Sequence, residues 1–409
     1  MNSVAIRPFV TNLTVEKLAN ISFFAWCICE VLFSHSIISR ISLYLFCGLV
    51  IILILQEKRI HFGLILFFSL AFIVYNHLIL SNSIFISETQ SMIKTLFISF
   101  LFYFCLYNYV SLSDDIYSII KIYRFAGLVL ALYCFGMYLA SGFQGRMGGS
   151  FDVNANSLAI PFSFAFLFYF NSFLAERKAK RYLLAMAILL FVIFLTGSRK
   201  GLLGIVIGIV IVIQLFYPRK FVRNAIVLTV ILILGYILLM KVTFFYDLVG
   251  IRMEALMAFV FEDGTAEASL SSRSDYTDLA WEYIALRPWT GYGLNTFHTL
   301  RESYGTYSHN NITEVLFSSG IFGFILFYFP LAIETIKSLI TGIKKDKIGI
   351  LFFAVGVIVF ILGYALVFYY SRSILALFIM AAGWMKSLKN RDDDKVNINQ
   401  SLQIKNGGP

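Results

Sequence analysis

Long apolar runs recur along almost the whole chain, and they constrain its fold more than any other feature. Runs of about 17 to 25 residues, the length that crosses a bilayer as a helix, begin near twelve positions: Leu18, Ile38, His61, Met92, Ile116, Ala155, Tyr182, Gly201, Asn224, Ile312, Ile348 and Ser373. Of the 409 residues, 59% are hydrophobic and 14% are charged, which is far from soluble usage. The sequence therefore predicts an all-α, polytopic membrane protein of about 12 transmembrane helices.

The basic residues predict how these helices are oriented. With the N-terminus inside, lysines and arginines concentrate in the inner connections: Lys58-Arg59, Lys121 and Arg124, Arg177 to Arg181, Arg219 to Arg223, Lys344 to Lys347 and the tail from Lys386. Cytoplasmic loops carry such an excess, so we expect both termini in the cytoplasm. The net charge of +10 is thus an orientation signal, and it does not indicate a nucleic-acid-binding surface.

One long polar segment interrupts the apolar runs and divides the chain. We expect nine helices in residues 1–245, a large loop outside the cytoplasm in 246–311, three helices in 312–389 and a disordered cytoplasmic tail in 390–409. The same alternation places three shorter connections beside the large loop: residues 141–154, 197–201 and 369–372. The large loop has no counterpart elsewhere in the chain, which argues against the internal repeats of secondary transporters.

The large loop itself carries helical signals. Arg273 opens a segment whose apolar positions recur at helical spacing, namely Tyr276, Leu279, Ala280, Tyr283 and Ile284. Such a helix should lie with one face on the membrane domain. Arg287-Pro288 should end it, and a turn at Gly291-Tyr292-Gly293 and a shorter amphipathic stretch from Leu294 to Tyr304 should follow.

His309 is the strongest single candidate for chemistry in the sequence. An imidazole, with an unperturbed pKa of about 6.5, can take a proton from a hydroxyl near neutral pH, which contributes roughly 10²- to 10⁴-fold. The surrounding segment also suits a helix start, with Asn311 at the N-cap and Glu314 three residues later. Capping explains Asn311 and Glu314 but does not explain His309, which precedes the helix.

Basic residues in the connections outside the cytoplasm are candidates for binding an anion. Arg199 and Lys200 lie in a turn of about four residues, and a guanidinium offers a planar fork that matches two phosphate oxygens. Anchoring of a helix end explains this pair equally well. Arg146 lies in a glycine-rich connection that suits either an approaching anion or an ordinary turn, and Arg372 ranks below the other arginines. Beyond the turn, the spacing of Gly204 and Gly208 predicts close helix packing.

Two enzyme classes find no support in the sequence. The outer connections contain no paired histidines, cysteine cluster or Asp-x-Asp, so we expect no metal and no other cofactor. No G-x-S-x-G motif occurs, which argues against a serine hydrolase.

Taken together, four segments resemble the O-antigen polymerase and ligase family. They are Gly197-Ser198-Arg199-Lys200-Gly201, Ser272-Arg273 with Trp281 downstream, Pro288-Trp289-Thr290-Gly291-Tyr292-Gly293, and Ser308-His309-Asn310 followed by Gly320 and Gly323. The resemblance covers residues 197 to about 327 well and 148 to 161 weakly. No single motif is unique, whereas their order and spacing together are fairly specific.

The resemblance implies a metal-independent, inverting glycosyltransferase of O-antigen or related surface polysaccharide biosynthesis. Its donor would be an oligosaccharide linked to undecaprenyl diphosphate at the periplasmic face of the bacterial inner membrane, so the large loop would be periplasmic. Arg199 and Arg273 would bind the diphosphate, and His309 would act on the acceptor hydroxyl as a base or orient it. We take five further residues as candidates for substrate binding: Lys200, Arg146, Arg372, Asn310 and Tyr292.

Three hypotheses for function are open, and the acceptor distinguishes the first two. A polymerase would extend another lipid-linked repeat unit, and a ligase would transfer the glycan to the lipid A core. We favour the polymerase because the large loop lacks the extra basic clusters that would suit a phosphorylated lipid A core. A non-enzymatic flippase or exporter of lipid-linked sugars should show charges in mid-span, and the spans are almost free of them. Partners are then the lipid-linked oligosaccharide and membrane lipids, with a polysaccharide chain-length regulator as a candidate and no nucleic acid.

Overall fold

Thirteen helices of 15 residues or more form the described part of the protein. The structure, a computed structural model, describes residues 14–34, 36–113, 115–143, 145–149, 153–176, 179–251, 253–254 and 268–406. The helices are α1 (Val15–Leu32), α2 (Ile37–Glu57), α3 (Leu64–Leu78), α4 (Ile86–Leu112), α5 (Ile116–Ala140), α6 (Ala155–Glu176), α7 (Ala179–Thr196), α8 (Arg199–Phe216), α9 (Phe221–Lys241), α10 (Ala268–Leu286), α11 (Asn311–Lys344), α12 (Ile348–Leu362) and α13 (Arg372–Asn406). These residues contain no strand.

The helix starts agree with the apolar runs of the sequence. A helix begins within six residues of each of the twelve predicted starts, and α10 is the additional helix in the large loop. By length and composition, seven of the described helices could cross a membrane, namely α2, α4, α5, α6, α8, α9 and α11, while α3 and α12 are shorter apolar helices. An all-helical, multi-pass membrane protein is therefore confirmed, and the count of about 12 spans stays a prediction.

Small residues bring α8 close to α6 at Gly201 and at the predicted Gly208, whereas a Cβ atom added to Gly204 would make ordinary contacts, 3.5 Å from Ile358 of α12 and 3.9 Å from Ser163. A Cβ atom added to Gly201 would lie 2.8 Å from the Cβ of Ala159, and one added to Gly208 would lie 2.5 Å from the methyl carbons of Leu167. The Ser163 hydroxyl donates a hydrogen bond of 2.9 Å to the Gly201 carbonyl. This packing fixes the beginning of α8, where the predicted Arg199 and Lys200 lie.

Connections from distant parts of the chain meet at one end of the bundle, which we call the loop end. It comprises residues 79–85, 141–149, 197–198, 287–310 and 363–371. The Met147 amide donates to the Leu195 carbonyl at 3.1 Å, the Asn311 amide to the Gly363 carbonyl at 2.7 Å, and the Ile84 amide to the Tyr292 carbonyl at 3.0 Å. The connections predicted to share one face are thus in contact with one another.

Helix α10 packs on α11 through the predicted face, although it begins earlier than predicted. Ala280 and Ile284 are buried with Leu316 and Phe317 of α11, and the other three predicted apolar positions pack against the same cluster. The helix begins at Ala268, so Arg273 lies in its second turn and not at its start. No proline or glycine separates the two positions, which lets the helix extend backwards.

The stretch from Leu294 to Tyr304, predicted as a short amphipathic segment, forms no continuous helix. It contains two short 3₁₀ turns, Phe297–Thr299 and Arg301–Ser303. Asn295 and Tyr304 have positive φ angles of 57° and 50°, and a left-handed residue stops a right-handed helix from propagating. The chain therefore folds back in tight turns on its way to His309.

Helix α11 is broken at Gly320, and the Pro288 to Gly293 segment fills the break. Gly320 has φ 62° and ψ −169°, so backbone amides and carbonyls near it do not form the regular hydrogen bonds of a helix. The Tyr292 and Gly293 amides donate to the carbonyls of Phe317 and Ser318 at 2.8 and 2.9 Å, and the Ile321 amide donates to the Pro288 carbonyl at 2.8 Å. The loop thus satisfies backbone groups that the break would otherwise leave unpaired.

The last helix extends beyond the predicted end of the bundle. Helix α13 continues to Asn406, through residues that the composition predicts to be disordered. The sequence from 390 to 406 contains neither glycine nor proline, and Gly407-Gly408-Pro409 follows directly. Helix-breaking residues therefore occur only beyond Asn406, the last described residue.

Candidate active site

His309 lies between two tyrosine rings at the loop end. Its ring centroid is 4.3 Å from that of Tyr307 and 6.0 Å from that of Tyr276 in α10. His309 is half-buried, and its backbone has a positive φ of 59°. The large loop and the start of α11 therefore hold this imidazole in place, with part of the side chain accessible.

The helix after His309 is capped by Asn310, one residue earlier than predicted. The Asn310 side chain accepts a hydrogen bond from the Ile312 amide at 2.9 Å, and its backbone is extended, as an N-cap requires. The Glu314 carboxylate accepts from the Ser308 amide at 2.9 Å. Asn310 thus has a capping role, and both contacts fix the backbone on either side of His309.

Asn311, which the sequence predicts to cap α11, is buried and connects this helix to a distant loop. Its side-chain nitrogen Nδ2 donates to the Tyr328 hydroxyl at 2.7 Å, while its side-chain oxygen accepts from the backbone amides of Phe368 and Tyr369 at 2.7 and 2.9 Å. The side chain is fully buried. It joins the start of α11 to the 363–371 connection, a role that no local sequence signal reveals because Phe368 and Tyr369 are more than 50 residues away.

The start of α8 reaches the same connection. Ser198 caps α8 by accepting from the Gly201 amide, and its hydroxyl donates to the Asn156 side-chain oxygen at 2.7 Å. The Lys200 ammonium donates to the Ala365 carbonyl, two residues from the carbonyl that the Asn311 amide contacts. Arg199, half-buried, begins the helix. The 363–371 connection therefore links the predicted cationic turn to the histidine-bearing helix start.

Tyr370 of this connection lies near Tyr307 and Glu314. Burial, together with the nearby Tyr307 hydroxyl and Glu314 carboxylate, raises the pKa of Tyr370 to about 12. Tyr307 is the residue whose ring lies against His309. The 363–371 connection thus approaches the tyrosine that contacts the histidine, and the Tyr370 hydroxyl is protonated at neutral pH.

Three of the other candidates have contacts that favour structural roles. Arg146 donates from Nε to the Thr196 carbonyl at 2.8 Å and from a terminal nitrogen to the Gly197 carbonyl at 3.3 Å, which fixes the turn before α8. Arg372 forms a 2.9 Å ion pair with Glu30 of α1, and both side chains are largely buried. Tyr292 is buried, stacks on Phe317 and donates to the Tyr283 carbonyl.

For Arg273, the structure describes the position of the backbone in α10. Its backbone lies one turn before Tyr276 in α10, and its side chain falls outside the described residues. Residues three apart share a helix face, and Tyr276 contacts the His309 ring. Among the described residues, no group of three or more histidine, cysteine, aspartate or glutamate side chains could hold a metal ion.

These observations define a multi-pass helical membrane protein whose cationic turn and histidine meet at one end of the bundle. Residues 184–328 match the family model described as O-antigen ligase. The match confirms, over these residues, the resemblance to the O-antigen polymerase and ligase family that the motifs indicate. It includes Arg199, Arg273 and His309, whereas Arg146, Arg372 and the 363–371 connection lie outside it. No curated protein matches the chain.

Replacing Asn311 should destabilise the protein because its three partners are buried with it. Asn311→Ala leaves two backbone amides and a hydroxyl without their hydrogen bonds, at about 1–3 kcal/mol for each unsatisfied group. We expect a lower midpoint of thermal unfolding in detergent. Asn310→Asp, which keeps the capping oxygen, serves as the control and should unfold near the wild-type temperature. Equal midpoints for both variants would contradict the connecting role.

Proposed function

We propose that the protein is an O-antigen polymerase, which joins oligosaccharide repeat units linked to undecaprenyl diphosphate. The observation that supports this best is the convergence of two helix starts on the 363–371 connection. Lys200 and Asn311 contact carbonyls only two residues apart, and they bring Arg199 and His309 to the same end of the bundle. A cationic turn and an imidazole are the groups that transfer of a sugar from a diphosphate requires.

In the proposed reaction, His309 acts on the acceptor hydroxyl and the two arginines act on the leaving diphosphate. His309 takes the proton from the acceptor hydroxyl, whose oxygen attacks the anomeric carbon of the donor sugar. The bond between that carbon and the diphosphate oxygen breaks, and the configuration inverts. Arg199 and Arg273 stabilise the negative charge on the departing diphosphate, so no metal is required. Tyr276 and Tyr307 hold the imidazole between them.

A ligase that transfers the glycan to the lipid A core is the alternative, because both activities share these groups. The described part of residues 287–310 contains two arginines, Arg287 and Arg301. Arg287 already donates to the Asn82 carbonyl and lies over the Tyr292 ring. Few cations are thus left for a phosphorylated acceptor, which favours the polymerase.

The lipopolysaccharide of a deletion strain tests this assignment. Loss of a polymerase should leave core molecules that carry one repeat unit, because a ligase still transfers single units. Loss of a ligase should leave the bare core. A normal ladder of chain lengths after deletion would contradict both proposals, and reintroduction of the wild-type gene should restore the ladder.

Lysine should replace the proposed diphosphate-binding arginines poorly. Arg199→Lys and Arg273→Lys keep the charge but lose the planar fork that holds two phosphate oxygens. We expect each to lose most of the polymer at unchanged protein level. Arg301→Lys is a matched control because Arg301 is an exposed arginine of the same loop end. Wild-type polymer in both Arg199→Lys and Arg273→Lys would favour anchoring of helix ends instead.

The loop end should face the periplasm, as the basic connections at the opposite end predict. Single cysteines at Tyr304, which is 87% exposed, and at the exposed Lys389 would be placed in a cysteine-free background. In cells with a permeabilised outer membrane, an impermeant maleimide should label Tyr304→Cys and spare Lys389→Cys. The reverse result would invert the topology and contradict the proposed mechanism.

A further inference from the structure

An open groove between α3 and α4 lies apart from the candidate active site. It has a volume of about 550 Å³ and is lined by Leu70, Ile73, Val74, His77, Ile93, Lys94, Phe97 and Ile98. Val74 and Phe97 are about half exposed, so the groove opens on the outside of the bundle. Because α4 is one of the helices able to cross a membrane, this surface faces lipid.

The groove is amphipathic along its length. His77 lies one residue before the end of α3, and Lys94 lies in the third turn of α4, so both are near the loop end. The apolar residues Leu70 and Ile98 lie further along the two helices, away from that end. A lipid has the same order of groups, with a polar headgroup at the surface and apolar chains below it.

Lys94 and His77 are the polar residues that line the groove. Neither side chain forms a hydrogen bond or ion pair with another residue of the described part, and both are exposed. By contrast, Arg146, Lys200, Arg287 and Arg372 all donate to a carbonyl or a carboxylate. An unpaired ammonium beside apolar side chains in a membrane is costly, which favours an anionic ligand.

We propose that this groove binds an anionic phospholipid. Lys94 pairs with the phosphate, His77 donates a second hydrogen bond, and the acyl chains lie along Leu70, Ile73 and Phe97. One ammonium matches the single charge of a phosphodiester, whereas the diphosphate of the proposed donor has its counterpart in the arginines of the active site. This site goes beyond the proposed function and does not depend on it.

The lipid would support the same segment that fills the break in α11. Two residues before His77, the Tyr75 hydroxyl donates to the carbonyls of Trp289 and Ser319 at 3.2 and 3.1 Å. After α3, the Ile84 amide donates to the Tyr292 carbonyl. A lipid that fixes the end of α3 therefore also fixes the backbone around Gly320.

Native mass spectrometry of the full-length protein tests the proposal. The protein is incorporated in equimolar phosphatidylglycerol and phosphatidylethanolamine, and the lipids that stay bound are counted. Wild type should retain phosphatidylglycerol preferentially, and Lys94→Gln should lower its retention roughly fivefold, the effect of one basic residue on an anionic lipid. Lys94→Arg should keep the preference. Val74→Trp, which fills the groove, should lower the retention of both lipids.

Lys241→Gln is the matched control, since Lys241 is an exposed lysine at the end of α9, and it should behave as wild type. The thermal unfolding of each variant is measured alongside to confirm folding. Equal retention of phosphatidylglycerol by wild type and Lys94→Gln would overturn the proposal. Displacement of the bound lipid by added undecaprenyl diphosphate would also overturn it, because the groove would then belong to the donor.

Discussion

Replacing His309 by asparagine should lower turnover by about 10² or more while the protein still folds. The backbone of His309 has a φ of 59°, a left-handed conformation that asparagine adopts more readily than most residues. The cap at Asn310 and the contact between Glu314 and Ser308 do not involve the imidazole. Asparagine therefore removes the proposed base and leaves the surrounding backbone in place, which alanine would not do.

The expected loss is measured as sugar transfer by purified protein from a lipid-linked donor. Tyr304→Asn is the control, because Tyr304 is also left-handed, with φ 50°, and is 87% exposed. It introduces the same residue at a similar positive φ away from His309, and it should retain wild-type turnover. Near-normal turnover of His309→Asn would make the histidine a structural contact between Tyr276 and Tyr307, and the base would lie elsewhere.

Gly320→Ala should destabilise the protein more than the corresponding substitutions of two other glycines, Gly305→Ala and Gly235→Ala. Gly320 has φ 62° and ψ −169°, a region essentially confined to glycine, where other residues cost about 1–3 kcal/mol. In addition, a Cβ atom would lie 2.2 Å from the backbone carbon of Trp289. The loop would have to leave the break in α11, and three backbone hydrogen bonds would be lost with it.

Two glycine variants separate the causes of this loss. Gly305→Ala has a similar φ of 78° with nothing within 4 Å, so it measures the backbone cost alone. Gly235→Ala in α9 has open space and helical dihedrals, and should be neutral or stabilising. In thermal unfolding with detergent, we expect Gly320→Ala to unfold lowest, followed by Gly305→Ala. A midpoint for Gly320→Ala near that of Gly305→Ala would show that the loop does not depend on the break.

Features set by local pattern could be predicted from the sequence. Apolar runs gave helix starts close to those observed, and Gly208 packs closely on Leu167 of α6 as predicted. The buried face of α10 followed from the period of its apolar residues, of which Ala280 and Ile284 are the most buried. Each of these depends on the order of residues within about 20 positions.

Features that depend on distant partners could not be predicted. Asparagine is a common N-cap residue, yet the hydrogen-bond partners of Asn311 lie in the 363–371 connection and at Tyr328. Gly320 resembles any glycine in an apolar run, and only the Trp289 backbone against it explains the break. Arg146 and Arg372 were predicted to bind substrate because the sequence shows their charge. It does not show that they contact Gly197 and Glu30, which lie far from them in the chain.

Transfer by the purified protein tests the central claim most directly. Wild-type protein is reconstituted with a single repeat unit linked to undecaprenyl diphosphate, with and without lipid A core, and both products are quantified. We predict that lipid-linked chains of two or more units form without lipid A core and that one undecaprenyl diphosphate is released for each bond made. His309→Asn should form both products at least about 10²-fold more slowly. Release that requires lipid A core would instead show a ligase, and no transfer with either acceptor would contradict the assignment of this loop end as a glycosyltransferase site.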